Sequence, residues 1–468
     1  MYATLNNHKR GDFKPYILRS NDKGVTWNSI TANLPERGST YSIAEDHVDP
    51  NLLFVATEFG VHFSTDAGKS WRQLKGGLPT TGIRDMAIQK RENDLVLASF
   101  GRGFYVLDDY SPLRNLKNAE NKEGYIFPIK NSWMYLENSP LGIRGKGFLG
   151  ESLYAAENPK VGATFTYFYK DDLKTLTEKR QEEQDKLSKD GKDASYPTLE
   201  RLKEEEKEES PYLLFTIRND QGEIVRKLKT SEKKGVQRIV WDFRYPSSNP
   251  INLNQTPNDN VFQSNDVGQL VAPGNYTVTL SKYAAGSFTE LTGPEKFIVS
   301  ALPGTTLPAS VRPALVAWQR QAAELQRTLE GTNRMLSDAN NRIKHIREAI
   351  FVVAKPNQEF VMDVLTIENK LRSFQIQLNG DQIANRLDID VPPTISSRLL
   401  SAIYDGYHSS SDPTITMKEQ LQIAAGELEP LLAELKTVVS NDIKVLEQKL
   451  EAAGAPYTPG RIPELKKN

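Results

Sequence analysis

Ser20-Asn21-Asp22-Lys23-Gly24-Val25-Thr26-Trp27 is repeated 44 residues on by Ser64-Thr65-Asp66-Ala67-Gly68-Lys69-Ser70-Trp71, Asp66 standing where Asp22 stood. The register holds beyond the two octapeptides. Ile30, Leu34, Pro35 and Gly38 return without a gap as Leu74, Leu78, Pro79 and Gly82, giving the shared pattern S-x-D-x-G-x-[ST]-W-x-x-[IL]-x-x-x-L-P-x-x-G. Each octapeptide follows a run of strand character, Pro15-Tyr16-Ile17-Leu18-Arg19 in one copy and Gly60-Val61-His62-Phe63 in the other, and its Trp opens another. The unit therefore reads as strand, tight turn, strand. In such a turn the Asp carboxylate accepts backbone N–H groups, Gly takes a conformation other residues resist, and the Ser and Thr hydroxyls tie the ends together. The Trp is then expected to pack between neighbouring sheets. A period of 44 residues holding about four short strands is the signature of propeller blades.

The third unit departs from the pattern. Residues 95–107 repeat the strand pair, but Leu107-Asp108-Asp109-Tyr110-Ser111 replaces the octapeptide and leads out of the repeat. Residues 1–115 thus hold only about two and a half blades, whereas a propeller closes with at least about four. An open arc exposes two partly apolar flanks to water. The expectation is that blades from the rest of a longer precursor, or from a separate chain, complete the ring, with Met1 a fragment boundary or an internal start.

Both octapeptides resemble Asp-boxes (BNR repeats), the turn motif of sialidase-type, xyloglucanase-type and sortilin-type β-propellers. The flanking segments Asn51-Leu52-Leu53-Phe54-Val55-Ala56-Thr57-Glu58-Phe59-Gly60 and Arg91-Glu92-Asn93-Asp94-Leu95-Val96-Leu97-Ala98-Ser99-Phe100-Gly101-Arg102-Gly103 are similar to the last blades of large secreted bacterial sortilin-like proteins, often labelled glycosyl hydrolases by analogy. The resemblance extends to Ala455-Pro456-Tyr457-Thr458-Pro459-Gly460-Arg461 near the C-terminus. It implies a secreted, periplasmic or cell-surface setting, with a signal sequence expected on a missing N-terminal part. It also implies that Ser20, Asp22, Gly24, Thr26 and Trp27, with Ser64, Asp66, Gly68, Ser70 and Trp71, are structural and lie at the blade periphery.

Composition bounds the rest. The 468 residues suit about three domains. With 59 Lys+Arg against 60 Asp+Glu the net charge is −1, so no global field favours nucleic acid or an anionic membrane. Hydrophobic residues are 38% and aromatics 9%, the profile of folded domains carrying a charged segment. The absence of cysteine excludes disulfides, thiolate metal sites and cysteine nucleophiles. No run of 18 apolar residues exists and MYATLNNHKR has no apolar core, so neither a spanning helix nor an intact secretion signal is read here.

The fold class expected is multidomain, β plus α. After the partial propeller, residues 116–302 read as an immunoglobulin-like β-sandwich. Short runs such as Phe165-Thr166-Tyr167-Phe168-Tyr169 and Leu213-Leu214-Phe215-Thr216-Ile217 alternate as half-buried antiparallel strands do, and Asn219-Asp220-Gln221-Gly222 marks a hairpin. Ala272-Pro273-Gly274-Asn275-Tyr276-Thr277-Val278 resembles the penultimate hairpin of bacterial immunoglobulin-like sandwiches, and Trp241 and Phe243 should fill the core between the sheets. An exposed Tyr or Trp here could instead stack on carbohydrate. Residues 171–210 are a charged insertion of mixed sign, read as a solvated helical hairpin with Gly191 and Pro197 at its tip. The glycosylation sequons at Asn254 and Asn275 carry no functional weight.

From residue 303 to 455 the period switches to about 3.5. Leu315, Trp318, Ala322, Leu325, Leu329, Thr332, Leu336, Ala339, Ile343, Ile346 and Ile350 form one stripe of a single long helix. Phe360, Val364, Ile367, Leu371, Phe374 and Leu378 form a second, stopped by Asn379-Gly380. Thr416 with Glu419 reads as a capping box before a third, Met417, Leu421, Ala424, Leu428, Leu431, Leu435, Val438 and Val445, interrupted by Asp442 and kinked at Pro430. With a shorter helix over 393–404, this is an antiparallel helical bundle, followed by a tail at 456–468.

Chemistry is sparse. His8, His47, His62, His345 and His408 lie on separate segments with no metal-site spacing, and no cofactor is implied. A glycoside hydrolase needs two carboxylates facing each other across a sugar. Candidates at strand ends are Glu58, Asp85, Asp108 and Asp109, with Arg102 as an anion contact; Glu58 and Arg102 are the candidate ligand-binding residues. The leading expectation is a non-catalytic binding and assembly module. The alternatives are a glycoside hydrolase whose active site is shared with missing blades, or a peptide-binding propeller tunnel.

Overall fold

The computed structural model describes residues 1–137, 156, 158–230, 234–251, 253, 268–304, 312–353, 358–407, 409 and 411–463. Strands come first. β1 (Tyr2–Asn7), β2 (Asp12–Arg19) and β3 (Asn28–Ser29) form one antiparallel sheet in sequential order. A second holds β4 (Thr40–Glu45), β5 (Leu53–Thr57), β6 (Gly60–Ser64) and β7 (Arg72–Gln73), and a third holds β8 (Ile83–Gln89), β9 (Asp94–Ser99) and β10 (Phe104–Leu107). Consecutive strands pair because each connection is a short turn, so every sheet is a meander.

The second sheet lies between the other two, and its sequence says why. β5 is apolar at every position but Thr57, as a strand buried on both faces must be. Leu53 and Val55 point one way, into a core with Ile17, Leu34 and Trp71. Phe54 and Ala56 point the other way, into a core with Ile83, Leu95 and Leu97. The second core also takes in Leu116, Ala119 and Phe127, so packing runs past the expected boundary at 115. Strands on the outer flanks stay largely in water. Leu5 and Phe13 are exposed on the first sheet, Val25 and Trp27 in its β2–β3 turn, and Phe104 and Val106 on the third.

The middle of the chain forms two further sheets. One has the order β11 (Gly124–Ile126), β13 (Ala163–Tyr169), β16 (Gly235–Trp241); the other runs β12 (Ser132–Met134), β18 (Ser287–Ala301), β17 (Gly274–Ala284), β14 (Tyr212–Asn219), β15 (Ile224–Thr230). They enclose one core in which Phe165 and Tyr167 meet Phe215, and Trp241 meets Tyr276 and Phe297. Trp241 and Phe243 are buried there as expected. Purely antiparallel pairing does not hold: β12 runs parallel to β18. The short β11–β12 segment crosses from one sheet to the other, which removes the hairpin that antiparallel entry would require. The charged insertion forms α2 (Leu176–Lys189) and α3 (Leu199–Lys207), neither with a buried residue, clasped by Arg180 on Glu205 at 2.7 and 2.8 Å. A short α1 (Leu116–Glu120) precedes these sheets.

The helical part comprises α4 (Arg312–Val352), α5 (Gln358–Asn379), α6 (Gln382–Arg386), α7 (Ile395–Tyr407), α8 (Ile415–Thr437) and α9 (Ile443–Ala452). The first two stripes are buried as read, with Leu325 and Phe360 half-buried at the margin of one core. Gly380, at φ 93°, ends α5. Two expectations are corrected. The cap of α8 is Thr414, whose Oγ1 accepts from Met417 N–H at 3.2 Å, and not Thr416, which already lies inside the first turn. Val445 is exposed, and the helix does not leave the core at Asp442. A π-turn over Val438–Asp442 inserts one extra residue, so Ile443, Leu446 and Leu450 take up the buried stripe and Asp442 turns out to bond Lys370 at 2.9 Å. The helix passes unbroken through Pro430. Residues 455–461 return over the bundle, where Gly460 sits so close to the Arg342–Glu447 pair that a Cβ would lie 2.5 Å from Arg342 Nε. The chain as a whole is mixed β plus α. Among the described residues, no helix is long and apolar enough to cross a membrane.

Candidate functional site

The two octapeptide turns are built alike. Asp22 Oδ1 accepts from Ser20 Oγ and Thr26 N–H at 2.8 Å each, and Thr26 Oγ1 donates to Oδ2 at 2.6 Å. Asp66 repeats this with Ser64 Oγ, Ser70 N–H and Ser70 Oγ at 2.7, 2.9 and 2.5 Å. Gly24 and Gly68 adopt φ 95° and 86°. The Thr26 hydroxyl and N–H, with Ser20, hold the Asp22 carboxyl down at about 2. Burial pushes Asp66 up, but the hydroxyls of Ser70 and Ser64 outweigh it and leave it at about 2. Every strong acceptor of these turns is committed to the turn itself.

The tryptophans that follow differ sharply. Trp71 is 3% exposed and seated in the preceding sheet's loop: its N–H donates to Asn33 Oδ1 at 2.7 Å, Asn33 Nδ2 donates to its carbonyl at 3.0 Å, and its indole Nε1 donates to Ile30 O at 2.8 Å. Ile30 also presses on Gly68, where a Cβ would stand 2.9 Å from Ile30 Cδ1. Trp27 is 39% exposed, and its indole reaches only its own turn, at Gly24 O, 3.1 Å. The expectation that each Trp packs between sheets therefore holds for Trp71 and fails for Trp27, against which no other sheet packs among the described residues. The sequence reading missed the seat. Its signal was that Asn33 has no counterpart at Gly77 of the next unit, marking a residue that serves a neighbour rather than the repeat.

Glu58 and Arg102 lie in the β5–β6 and β9–β10 turns, at the end of the sheets opposite the octapeptide turns. Gly82 brings the two turns together: Phe100 N–H donates to its carbonyl at 2.7 Å, and the Glu58 backbone lies within 3.5 Å of where a Cβ would be. Among the described residues no ion pair or side-chain hydrogen bond joins Glu58 to Arg102. Beside them Arg84 is sandwiched between Tyr41, 4.0 Å from the ring centre, and Phe100, 4.8 Å, while Phe59 is exposed. The result is a cationic and aromatic ledge carrying one carboxylate, suited to binding rather than to acid–base chemistry. Asp85 accepts from Ser42 at 3.1 Å.

The other carboxylates are elsewhere. Asp109 accepts from Ser111 Oγ at 2.6 Å and Asp108 opens toward the two-sheet unit, so the four candidates do not converge on one sugar. Nearby, buried Asp46 takes Arg114 Nε and a terminal nitrogen at 2.7 and 2.8 Å and Tyr110 O–H at 2.6 Å. Burial alone would raise Asp46, yet Arg114 and Tyr110 hold it at about 2. This network fastens the segment leaving the third sheet onto the second, a role the sequence did not reveal. Among the described residues no group of His, Asp and Glu is arranged to hold a metal ion, and His408 lies outside them.

No family model and no curated protein matches the chain. Among solved structures it overlaps one described as the extracellular domain of a hybrid two-component system from B. thetaiotaomicron, at 13% identity and a TM-score of 0.17. The overlap covers 62% of this chain and 28% of that one, so the chain spans little more than a quarter of that structure's length.

Proposed function

We propose that the chain is a non-catalytic binding and assembly module of a secreted or cell-surface, sortilin-like β-propeller protein. In this reading residues 1–115 are the last blades of an Asp-box ring, residues 116–302 are an immunoglobulin-like sandwich, and residues 303–455 are a bundle that buttresses it. The observation that carries the reading is the pair Trp27 and Trp71, in two copies of one motif, of which one is seated in a preceding sheet and one is partly exposed and bonds only its own turn. Exposed Leu5 on the same sheet and Val25 in its β2–β3 turn support it, as apolar side chains left open to solvent on that flank. The missing sheet comes from an upstream part of the polypeptide or from a partner chain. Mass measurement of the protein from its natural source tests this: further sheet-forming polypeptide, continuous or bound, is expected to travel with it. Material of this chain's mass alone, soluble and monomeric, refutes it.

A second reading rests on the Arg84, Phe100 and Phe59 ledge beside Glu58 and Arg102, which offers a completed ring a face for a glycan or peptide. If that face hydrolyses glycosides, Glu58→Ala or Arg102→Ala abolishes turnover by the completed protein. Binding without turnover supports the non-catalytic reading.

A further inference from the structure

Trp133 in strand β12 and Tyr135, the first residue beyond it, flank Met134. Alternation sends Met134 into the core between the two sheets, so its neighbours face the other way, roughly 6.6 Å apart at a strand's rise per residue. That face is where a strand ordinarily presents polar groups, yet here it presents rings that are 49% and 41% exposed. They line a cleft of about 560 Å³ between the third sheet and the two-sheet unit, which Asp94 and Asp108 of the third sheet also line.

We infer that this cleft binds a neutral oligosaccharide, with Trp133 and Tyr135 stacking on successive sugar rings and Asp94 and Asp108 accepting hydroxyl hydrogen bonds. The inference goes beyond the ring-completion reading and stands whether or not a ring forms.

The wall is preorganised. Asp94 Oδ1 accepts from Asp109 N–H at 2.9 Å, Asp109 is held at φ 42°, and Arg238 donates to its carbonyl at 2.6 Å. Lys130 is committed to Glu92. Asp108 makes no ion pair or side-chain hydrogen bond among the described residues, and burial in the cleft together with Asp94 pushes its carboxyl above the ordinary range. A carboxylate without a side-chain partner, in one cleft with two exposed aromatic rings, suits donors that are neutral and attached to an apolar body. Sugar hydroxyls on a pyranose ring supply both, the ring's C–H face meeting the indole and phenol. Nearby Asn131 and Asn158 add carboxamides that can donate or accept. The lining carries four acids, Glu92, Asp94, Asp108 and Asp109, against three bases, Lys130, Lys160 and Arg238. With Lys130 paired to Glu92 and Arg238 bonded to a carbonyl, this balance offers no cationic seat for an anion. An open cleft suits an extended chain better than an enclosed small molecule.

Isothermal titration of the whole chain with neutral hexaoses of glucose, xylose, mannose and N-acetylglucosamine, and with a hexauronate as the anionic comparator, tests the inference. At least one neutral hexaose is expected to saturate with Kd below about 1 mM. Trp133→Ala is expected to weaken it at least about tenfold, Trp133→Phe to restore most of the loss, and Trp27→Ala to leave it unchanged. Exposed Trp133 is not needed for folding, which near-UV circular dichroism of the variant confirms independently. Saturation by none of the neutral hexaoses, unchanged affinity in Trp133→Ala, or tighter binding of the uronate overturns the inference.

Discussion

Replacing Trp71 by alanine removes a fully packed indole and leaves Ile30 O without its donor, while Asn33 keeps both bonds to the backbone, and should cost about 3–5 kcal/mol. The same change at Trp27 removes a half-wet ring that bonds only its own turn, and in this chain alone it should cost less than about 1 kcal/mol. Chemical denaturation of the two variants measures the difference; equal losses would mean that the first sheet is already covered. The glycines obey the same logic. Gly24→Ala meets backbone strain alone, whereas Gly68→Ala adds a collision with Ile30. Acid acts at this scale too. His62 is buried, its Nδ1 has no partner among the described residues, and burial holds its pKa below 6.5. The unfolded chain therefore takes up that proton first, so stability is full above about pH 6.5 and falls as pH drops below it. Asp22, Asp46 and Asp66, at about 2, contribute a second loss that begins near the ordinary carboxylate value of 3.8 and proceeds toward pH 2. His62→Gln should flatten the upper phase of a pH–stability curve and spare the lower one. An upper phase that persists in His62→Gln would assign it to another group. The turn bonds were legible because all their partners lie within six residues of one another. The Asn33 seat was not, because its partner is 38 residues away in another sheet.

Elements are set by periodicity until an insertion shifts it. The 3,4 spacing located the long helices, but spacing counts residues and cannot register a π-turn, which adds a residue without changing composition. Hence the buried stripe passes through Ile443, Leu446 and Leu450 while Val445 faces water. Deleting Ser440, an exposed residue of the π-turn, should remove the extra residue, restore a regular helix and leave Ile443, Leu446 and Leu450 on the buried stripe, so stability should change by no more than about 1 kcal/mol. Val445→Lys should change stability by no more than about 0.5 kcal/mol. Thermal melts monitored at 222 nm check both variants; a deletion that costs several kcal/mol together with a damaging Val445→Lys would restore the uninterrupted stripe. The cap of α8 was misread by two residues because Thr414 and Thr416 are equivalent in sequence. Only backbone geometry, extended at Thr414, decides between them.

At the scale of the molecule, three meander sheets in a row have one protected member and two open flanks. The sheet between the others is buried on both faces, and the β-to-α progression along the chain was readable from period alone. What composition and period could not reveal is how units join: Phe127 packing into the third sheet's core, Arg238 reaching the Asp109 carbonyl, and Arg320 of the bundle stacking on Tyr245. The first two of these contacts tie the third sheet firmly to the two-sheet unit, and the last ties that unit to the bundle, whereas nothing described ties the first sheet on its outer side. On the proposed reading the first sheet is built to be covered. Hydrogen–deuterium exchange of this chain alone tests it most directly. Amides of β1–β3 are expected to exchange much faster than those of β5 and β6, and to slow to the same rate once the preceding sheet is present. Protection of β1–β3 equal to that of β5 and β6 in the isolated chain would contradict it.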